Sequence, residues 1–194
     1  MKLGLLILAG GRSERWGTEK ALVMLEGKPL LLHVLERLGG LSEERIVSCK
    51  AGMGLKLEGV RVVEDESEEK GAVVGLLSAL PLVRSEYVAV VACDHPRASP
   101  RVMKRLAERA EGREGAVPLW PNGYLEPLHA VYRTSSLLRA VRGAGRERRL
   151  KNILKGLDIS YVPVEELREL DPWLDCFFNL NHPEDLSHLP PRRP

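Results

Sequence analysis

Cysteine and histidine are scarce in this sequence, with three and five copies among 194 residues. Cys49, Cys93 and Cys176 lie far apart and form no C-x-x-C pair, so neither a disulfide framework nor a zinc ribbon is expected. The histidines lack the close pair that metal-binding motifs need. Unpaired cysteines favour a reducing compartment, and we therefore expect a cytoplasmic protein.

Long apolar runs and excess charge are also missing. No apolar run is long enough to cross a bilayer, and the run after Lys2 is too short for a signal peptide. Arg12, Glu14 and Arg15 follow it where cleavage would fall. A net charge of +2 with 44% hydrophobic residues is typical of a globular protein and does not indicate a nucleic-acid surface. We expect neither membrane nor nucleic-acid partners.

Strand-like and helix-like segments alternate along the chain. "LGLLIL" and "EYVAVVACD" are almost wholly apolar, which is typical of strands buried on both faces. Ser99 and Pro100 predict the cap and first turn of a helix that runs to about Glu111. The alternation predicts an α/β fold, a three-layer αβα arrangement around a Rossmann-like, mostly parallel sheet. The length suits one domain, residues 1–189, followed by a frayed tail at 190–194.

Further elements follow from the same patterns. Strands are predicted in "ERIVSC", "GVRVVED", "GAVPLW", "LHAVYR" and "ISYVPV". Helices are predicted after a turn at Gly27-Lys28, with Pro29 in the first helical position and Gly39 as the stop, in "GAVVGLLSALPLV", at Ser135–Arg142 and at Glu147–Leu157.

A glycine turn, "LAGGRSERWGTEK", follows the first strand. It is not a P-loop, because Lys20 precedes Ala21, and it lacks G-x-G-x-x-G. Gly10 and Gly11 would let backbone amides approach an anion, and Arg15 and Lys20 would add positive charge. Such a loop lies at the carboxyl edge of a parallel sheet, where ligands bind. The glycines and charges alone fit a tight turn with solvated cations equally well.

An aspartate follows the second buried strand in "VACDHP". Asp94 would lie at the same sheet edge and could supply a hard oxygen ligand for Mg²⁺. On its own it is more simply an aspartate that turns the chain before Pro96. Together with the glycine loop, the metal-ligand interpretation is favoured.

The stretch "LAGGRSERWGTEKALVMLEGKPLLLHVLERL" resembles the signature of the MobA-type nucleotidyltransferases, the molybdenum cofactor guanylyltransferases. That signature is L-A-G-G-x-S-x-R-M-G-x-D-K followed by G-x-P-L-L. Trp16 replaces the usual Met and Glu19 replaces the usual Asp. The matching residues are Leu8, Ala9, Gly10, Gly11, Ser13, Arg15, Gly17 and Lys20.

Two later segments extend the resemblance. "EDESEEKGAVVGLLSAL" is similar to the family segment D-x-x-x-x-x-G-P-L-A-G, and Asp65 falls at its nucleotide-contacting position, although the acidic run could also be a solvated loop. "DCFFNLNHPEDL" is similar to F-x-N-[IL]-N-T-P-E-D-L, which implies that Asn179 and Asn181 face the pterin. Without the family, they would be a turn before a helix at Pro183. The family's asparagine after the second strand has no match in "SCKAG".

The resemblance implies transfer of GMP from GTP to the terminal phosphate of molybdopterin, metal-loaded or not, with release of pyrophosphate. It implies Mg²⁺ held by Asp94, and it leaves room for a protein that delivers the pterin. The implied catalytic residues are Arg15, Lys20 and Asp94; the nucleotide contacts are Leu8, Ala9, Gly10, Gly11, Lys20, Asp65 and Asp94; the contacts to the acceptor substrate are Arg15, Gly17, Asn179 and Asn181.

Three alternatives remain at this stage. Cytidylyl- and sugar-phosphate nucleotidyltransferases share the fold, but they more often carry L-A-A-G and usually lack F-F-N-L-N. A non-catalytic nucleotide-binding protein is disfavoured because both Lys20 and Asp94 are present. A nucleic-acid-binding module would have to use the region from Arg139 to Lys151, whose cations we expect to form a solvated helix face.

Overall fold

The structure is a computed structural model that describes residues 2–10, 16–65 and 71–189. The residues outside these ranges include Gly11 and Arg15, which the sequence places in the site, Ser13 of the family signature, and the tail 190–194. The strands are β1 Leu3–Leu8, β2 Met24–Leu25, β3 Lys28–Pro29, β4 Arg45–Cys49, β5 Arg61–Glu64, β6 Tyr87–Ala92, β7 Gly115–Leu119, β8 His129–Arg133 and β9 Ile159–Pro163. The α-helices are α1 Leu30–Leu38, α2 Ala72–Ala79, α3 Pro100–Ala110, α4 Thr134–Gly143, α5 Leu150–Ile153 and α6 Val164–Leu167.

Seven strands form one mostly parallel sheet in the order β5-β4-β1-β6-β8-β7-β9. Only β8 runs against its neighbours, pairing antiparallel with β6 and β7. β1 pairs in parallel with β6 from Leu3 opposite Tyr87 to Leu8 opposite Ala92. The segments that follow the parallel strands therefore lie at the same edge of the sheet. These strands include β1, β4, β5, β6 and β7.

Helices cover both faces of the sheet, as the predicted three-layer fold requires. Leu5 and Ile7 of β1 belong to a core cluster with apolar residues of α1, α3 and α6. Leu6 and Leu8, which point to the opposite face, belong to a second cluster with residues of α2, α4 and α5. The continuous apolar run of β1 thus reflects burial on both faces. None of the helices in the described ranges is long and apolar enough to cross a membrane.

Each predicted strand is present, and Ser99 caps α3, its Oγ accepting a 3.4 Å hydrogen bond from the amide of Val102. The turn before α1 was predicted one residue too late. The chain reverses at Glu26 and Gly27, both with positive φ, and pairs β2 with β3, so Pro29 is still extended and α1 begins at Leu30. This is the geometry of a tight two-residue hairpin.

The predicted helix at 147–157 is also shorter than expected. Glu147 accepts hydrogen bonds from the amides of Arg148 and Arg149 and from the side chain of Asn152, which holds these residues in a loop. Regular helix therefore spans only Leu150–Ile153, followed by a 3₁₀ turn. The cations of this region, Arg146, Arg148, Arg149 and Lys151, are exposed, as expected of a solvated face.

Candidate active site

The site lies at the carboxyl edge of the sheet, between β1 and β6. After β1 the chain builds β4 and β5 on one side, then crosses back to add β6 on the other. This reversal creates the crevice in which open α/β sheets bind ligands. The two segments that leave these strands are held together, because the amide of Cys93 donates a 3.0 Å hydrogen bond to the carbonyl of Leu8.

Lys20, Asp94 and Asn181 meet in this crevice. The Lys20 Nζ lies 2.5 Å from Asp94 Oδ2 and donates a second hydrogen bond of 3.2 Å to Asn181 Oδ1. The Lys20 and Asp94 side chains are only 10% and 17% exposed. Three segments far apart in sequence therefore bring together a cation and a carboxylate of low exposure and the side-chain amide of Asn181, an exposed residue.

Asp94 is held in its charged form by its neighbours. Burial raises the pKa of Asp94, but the adjacent His95 and Lys20 lower it by more, so that its pKa lies well below the usual range. His95 Nδ1 lies 3.2 Å from Asp94 Oδ1, while Lys20 is bonded to Oδ2. A carboxylate that stays ionised beside a crevice is suited to holding a cation.

Asp65 and Gly10 pack together on the β5 side of the crevice. A Cβ at Gly10 would lie 2.6 Å from Asp65 Oδ2, which explains why the position carries glycine. Asp65 is 6% exposed, and its Oδ1 accepts a 2.7 Å hydrogen bond from Ser48 Oγ. Burial raises the pKa of Asp65, and hydrogen bonds from Ser48 and Ser78 offset this only in part. Asp65 is therefore not part of a solvated loop.

Some main-chain groups at the end of β1 are already hydrogen-bonded within the protein. The amide of Ala9 donates a 2.7 Å hydrogen bond to the carbonyl of Ser48, and the carbonyl of Leu8 accepts from Cys93. A nucleotide contact at Leu8 or Ala9 would therefore have to use other atoms. Gly17 has φ of +64° in an exposed turn, a conformation that favours glycine.

The C-terminal segment closes the crevice. The amide of Leu180 donates a 3.0 Å hydrogen bond to the carbonyl of Asp94, which aligns this segment with the loop after β6. Asp185 Oδ2 accepts 2.7 Å hydrogen bonds from the amides of Asn181 and His182. A turn into the 3₁₀ helix Pro183–His188 is thus present, and it also presents the Asn181 side chain to Lys20.

The two departures from the family signature have structural partners. Trp16 Nε1 donates a 3.2 Å hydrogen bond to the carbonyl of Asn181, so the indole links the glycine loop to the C-terminal segment. Glu19 pairs with Lys50 at 2.8 Å, which connects the same loop to the segment after β4. Both residues fix the loop that carries Lys20.

Asn179 lies in the same segment as Asn181, but its side-chain oxygen does not take part in the cluster. Its Oδ1 is buried and has no hydrogen-bond partner within the described part of the chain. An unsatisfied buried carbonyl oxygen is costly unless a ligand or water completes it.

Sequence reasoning missed a second buried cluster beyond β6. Glu126, 7% exposed, accepts a 2.9 Å hydrogen bond from Trp120 Nε1. The His129 ring lies between those of His95 and Phe177, with centroids 5.1 and 5.0 Å away. Burial raises the pKa of Glu126 and lowers that of His129. The sequence analysis placed "LHAVYR" in a strand but assigned no role to Glu126 or His129.

Among the described residues, no group of three or more His, Cys, Asp or Glu side chains is arranged to hold a metal ion. A metal here would have to rely on Asp94 together with oxygen atoms of a substrate. Mg²⁺ is commonly bound in this way, through one or two carboxylates and substrate phosphates.

Comparisons with known proteins agree with this geometry. Residues 5–160 match the family model of the MobA-like NTP transferase domain. The chain is 38% identical to the "Probable molybdenum cofactor guanylyltransferase" of Thermococcus kodakarensis, covering 96% of this chain and 94% of that protein. It is 34% identical to the protein of the same name from Methanosarcina mazei, over 95% and 88%. The crystal structure of molybdopterin-guanine dinucleotide biosynthesis protein A from Archaeoglobus fulgidus is 31% identical, covers 97% of this chain and 96% of its own, and superposes with a TM-score of 0.82.

Proposed function

Because the chain belongs to the MobA-like NTP transferase family, we propose that it is a molybdenum cofactor guanylyltransferase. The proposed reaction transfers GMP from GTP to the terminal phosphate of molybdopterin and releases pyrophosphate. The observation that carries the proposal is the Lys20–Asp94–Asn181 cluster at the point where the sheet reverses direction. The names of the curated relatives favour this reaction over a cytidylyl- or sugar-phosphate transfer.

The proposed chemistry needs charge and positioning and no general base. The attacking group is a phosphate oxygen, which is already ionised at neutral pH. Lys20 is held in the crevice by Asp94 and Asn181, so its ammonium group is positioned before a substrate arrives. We assign Lys20, together with Arg15, to stabilising the negative charge of the departing pyrophosphate. Removing one such contact typically costs a factor of about 10² to 10³ in rate.

The environment of Asp94 fits a divalent cation, which we propose to be Mg²⁺. The carboxylate is ionised; its Oδ2 is bonded to the Lys20 ammonium group, and its buried Oδ1 has no hydrogen-bond partner among the described residues. The bound ion would neutralise charge on the triphosphate. His95 and Lys20 orient the carboxylate that would hold it.

The remaining predicted contacts are assigned to the two sides of the crevice. We assign Leu8, Ala9, Gly10, Gly11 and Asp65 to the nucleotide, because the end of β1 and the buried Asp65 carboxylate adjoin each other. We assign Arg15, Gly17, Asn179 and Asn181 to binding the acceptor substrate. We propose that residues 1–189 act as one domain, that a partner protein delivers the pterin, and that the free buried cysteines indicate the cytoplasm.

The first test is nucleotide binding by calorimetry with Mg²⁺ present, comparing GTP with CTP, UTP and ATP. We expect selective GTP binding that weakens at least tenfold in Lys20→Ala. The exposed Lys104 on α3 supplies the matched control, and Lys104→Ala should bind GTP like the unaltered protein. Preference for CTP or UTP would assign the protein to another transferase reaction, and the absence of nucleotide binding would contradict the proposal. Transfer of α-³²P-labelled GMP to molybdopterin then tests the acceptor.

A further inference from the structure

A buried carboxylate on the far side of β6 has no role in the proposed chemistry. Glu126 lies on the connection from β7 to β8, which returns to the same sheet edge as Asp94. Both of its main-chain groups are bonded, the amide to the carbonyl of Pro118 and the carbonyl to the amide of His129. The side chain therefore projects from a rigid stretch of backbone, next to the crevice.

The Glu126 carboxylate is under-used as a hydrogen-bond acceptor. A carboxylate offers about four acceptor positions, and the described residues fill one, with Trp120 Nε1 on Oε1. Glu126 is 7% exposed, and within the described ranges no Lys, Arg or His forms an ion pair with it; His95 is near enough only to lower its pKa and offset part of the effect of burial. Burying such a group is costly unless hydrogen-bond donors complete its shell.

The surroundings of Glu126 suit a flat heterocycle. Trp120 packs edge-on against Phe177, with ring centroids 5.9 Å apart, and Tyr124 in the same connection is 59% exposed. Aromatic faces provide stacking surfaces for planar rings. The position is also separate from the nucleotide side, since Asp65 follows β5 and Gly10 follows β1, whereas Glu126 lies on the other side of β6.

We propose that Glu126, oriented by Trp120, determines acceptor specificity by accepting two adjacent N–H donors from the 2-amino-4-oxopyrimidine edge of a pterin. That edge presents a ring N–H and an exocyclic amino group side by side, which matches the two oxygens of one carboxylate. Asn179, with its buried unpaired Oδ1, offers a further acceptor in the segment that closes the crevice. The inference rests on the proposed guanylyl transfer to a pterin.

The guanine base presents the same pair of donors, so the test must separate the two substrates. We would measure binding of 6-hydroxymethylpterin monophosphate and of its lumazine analogue, in which an oxo group replaces the amino group, to the full-length protein. GTP is titrated separately. The unaltered protein should prefer the pterin at least tenfold, because the lumazine oxygen would face a carboxylate oxygen.

The isosteric variant Glu126→Gln should reverse this preference. Its amide can accept from Trp120 and donate to the lumazine oxygen, but it meets the pterin amino group with a second donor. We expect pterin binding to weaken 10- to 100-fold and lumazine binding to improve, with GTP binding changed less than twofold. Glu111→Gln, an exposed carboxylate on the opposite end of α3, is the matched control. Trp120→Phe should weaken pterin binding and leave GTP binding intact.

The possible results distinguish the role of Glu126 from the proposed transferase function. Unchanged pterin preference in Glu126→Gln would refute the role of Glu126 while leaving the transferase proposal intact. Selective loss of GTP binding in Glu126→Gln would refute the proposal, because it would show that this carboxylate binds the guanine base and not the pterin. Failure of the unaltered protein to bind the pterin probe, with GTP bound normally, would overturn the proposed acceptor and this inference with it.

Discussion

Coupling between Lys20 and Asp94 can be measured as a free energy. Lys20→Met removes the ammonium group and leaves an ionised carboxylate whose side chain is 17% exposed, next to His95. Removing one partner of a buried ion pair typically costs about 3–5 kcal/mol. Because the pair retains some exposure, we expect about 3 kcal/mol. In a chain of this length this corresponds to a fall in melting temperature of roughly 6–12 °C.

A double-mutant cycle separates the interaction energy between Lys20 and Asp94 from the effects of the two single substitutions. Asp94→Asn alone leaves Lys20 with Asn181, and the double variant Lys20→Met/Asp94→Asn contains neither charge. Urea unfolding in EDTA should give the double variant less destabilisation than the sum of the single ones, with a coupling of about 2 kcal/mol. Lys50→Met is the control, because the Lys50–Glu19 pair is more exposed and should contribute less than about 1 kcal/mol.

Two further readouts follow from the same pair. The depressed pKa of Asp94 stabilises the fold above the ordinary aspartate pKa of about 3.9, and this contribution is lost as the pH falls below it. The difference in stability between the unaltered protein and Lys20→Met should therefore shrink in acid. Mg²⁺ should restore part of the stability of Lys20→Met but not of the double variant. Additive energies within about 0.5 kcal/mol, or equal rescue of both variants, would refute the coupling.

Three other perturbations test the rest of the site. Gly10→Ala should lower GTP affinity at least tenfold in calorimetry, because its Cβ would lie 2.6 Å from the Asp65 carboxylate; unchanged affinity would contradict this packing. Burial raises the pKa of Asp65, so ionisation of this carboxyl group destabilises the fold as the pH rises through that raised pKa. Asp65→Asn should therefore be more stable than the unaltered protein at pH 7 but not at pH 3. The same variant should bind GTP less well. Burial raises the pKa of Cys49 to about 11 and of Cys93 to about 12, and it also raises that of Cys176, so a thiol reagent at pH 7.5 should label these residues only after unfolding in urea.

The fold was predicted from local sequence patterns such as helix caps and unbroken apolar runs. The helix start at Ser99 and Pro100 depends on a cap within three residues, and the burial of β1 on both faces follows from its unbroken apolar run. The hairpin turn was predicted from Gly27 but placed one residue late, because Glu26 adopts a positive φ that its side chain does not favour. The helix predicted at 147–157 is shorter because the Glu147 carboxylate accepts hydrogen bonds from the amides of Arg148 and Arg149, and these bonds compete with helix formation.

The site was predictable only where it could be recognised as a motif. Lys20, Asp94 and Asn181 were each singled out from a separate segment, but their direct contact joins residues 74 and 161 positions apart. Spacing along the chain contains no information about that contact until the sheet order is known. Glu126 and Trp120 escaped notice for a related reason: a glutamate before proline in a predicted loop gives no indication that folding will bury it.

Three carboxylates with little exposure at the sheet edge differ in their electrostatics, and this difference supports the roles that we propose for them. Asp94 lies beside Lys20 and His95, and its pKa is lowered. Asp65 and Glu126 lie on opposite sides of it, Asp65 beside the hydroxyl groups of Ser48 and Ser78 and Glu126 beside the Trp120 indole N–H, and burial raises the pKa of each. Only the central carboxylate has its charge stabilised by the fold, which suits a cation and phosphates. The flanking two keep oxygen atoms that can accept N–H donors of a ligand, which suits the proposal that each recognises a heterocycle on its side of the crevice.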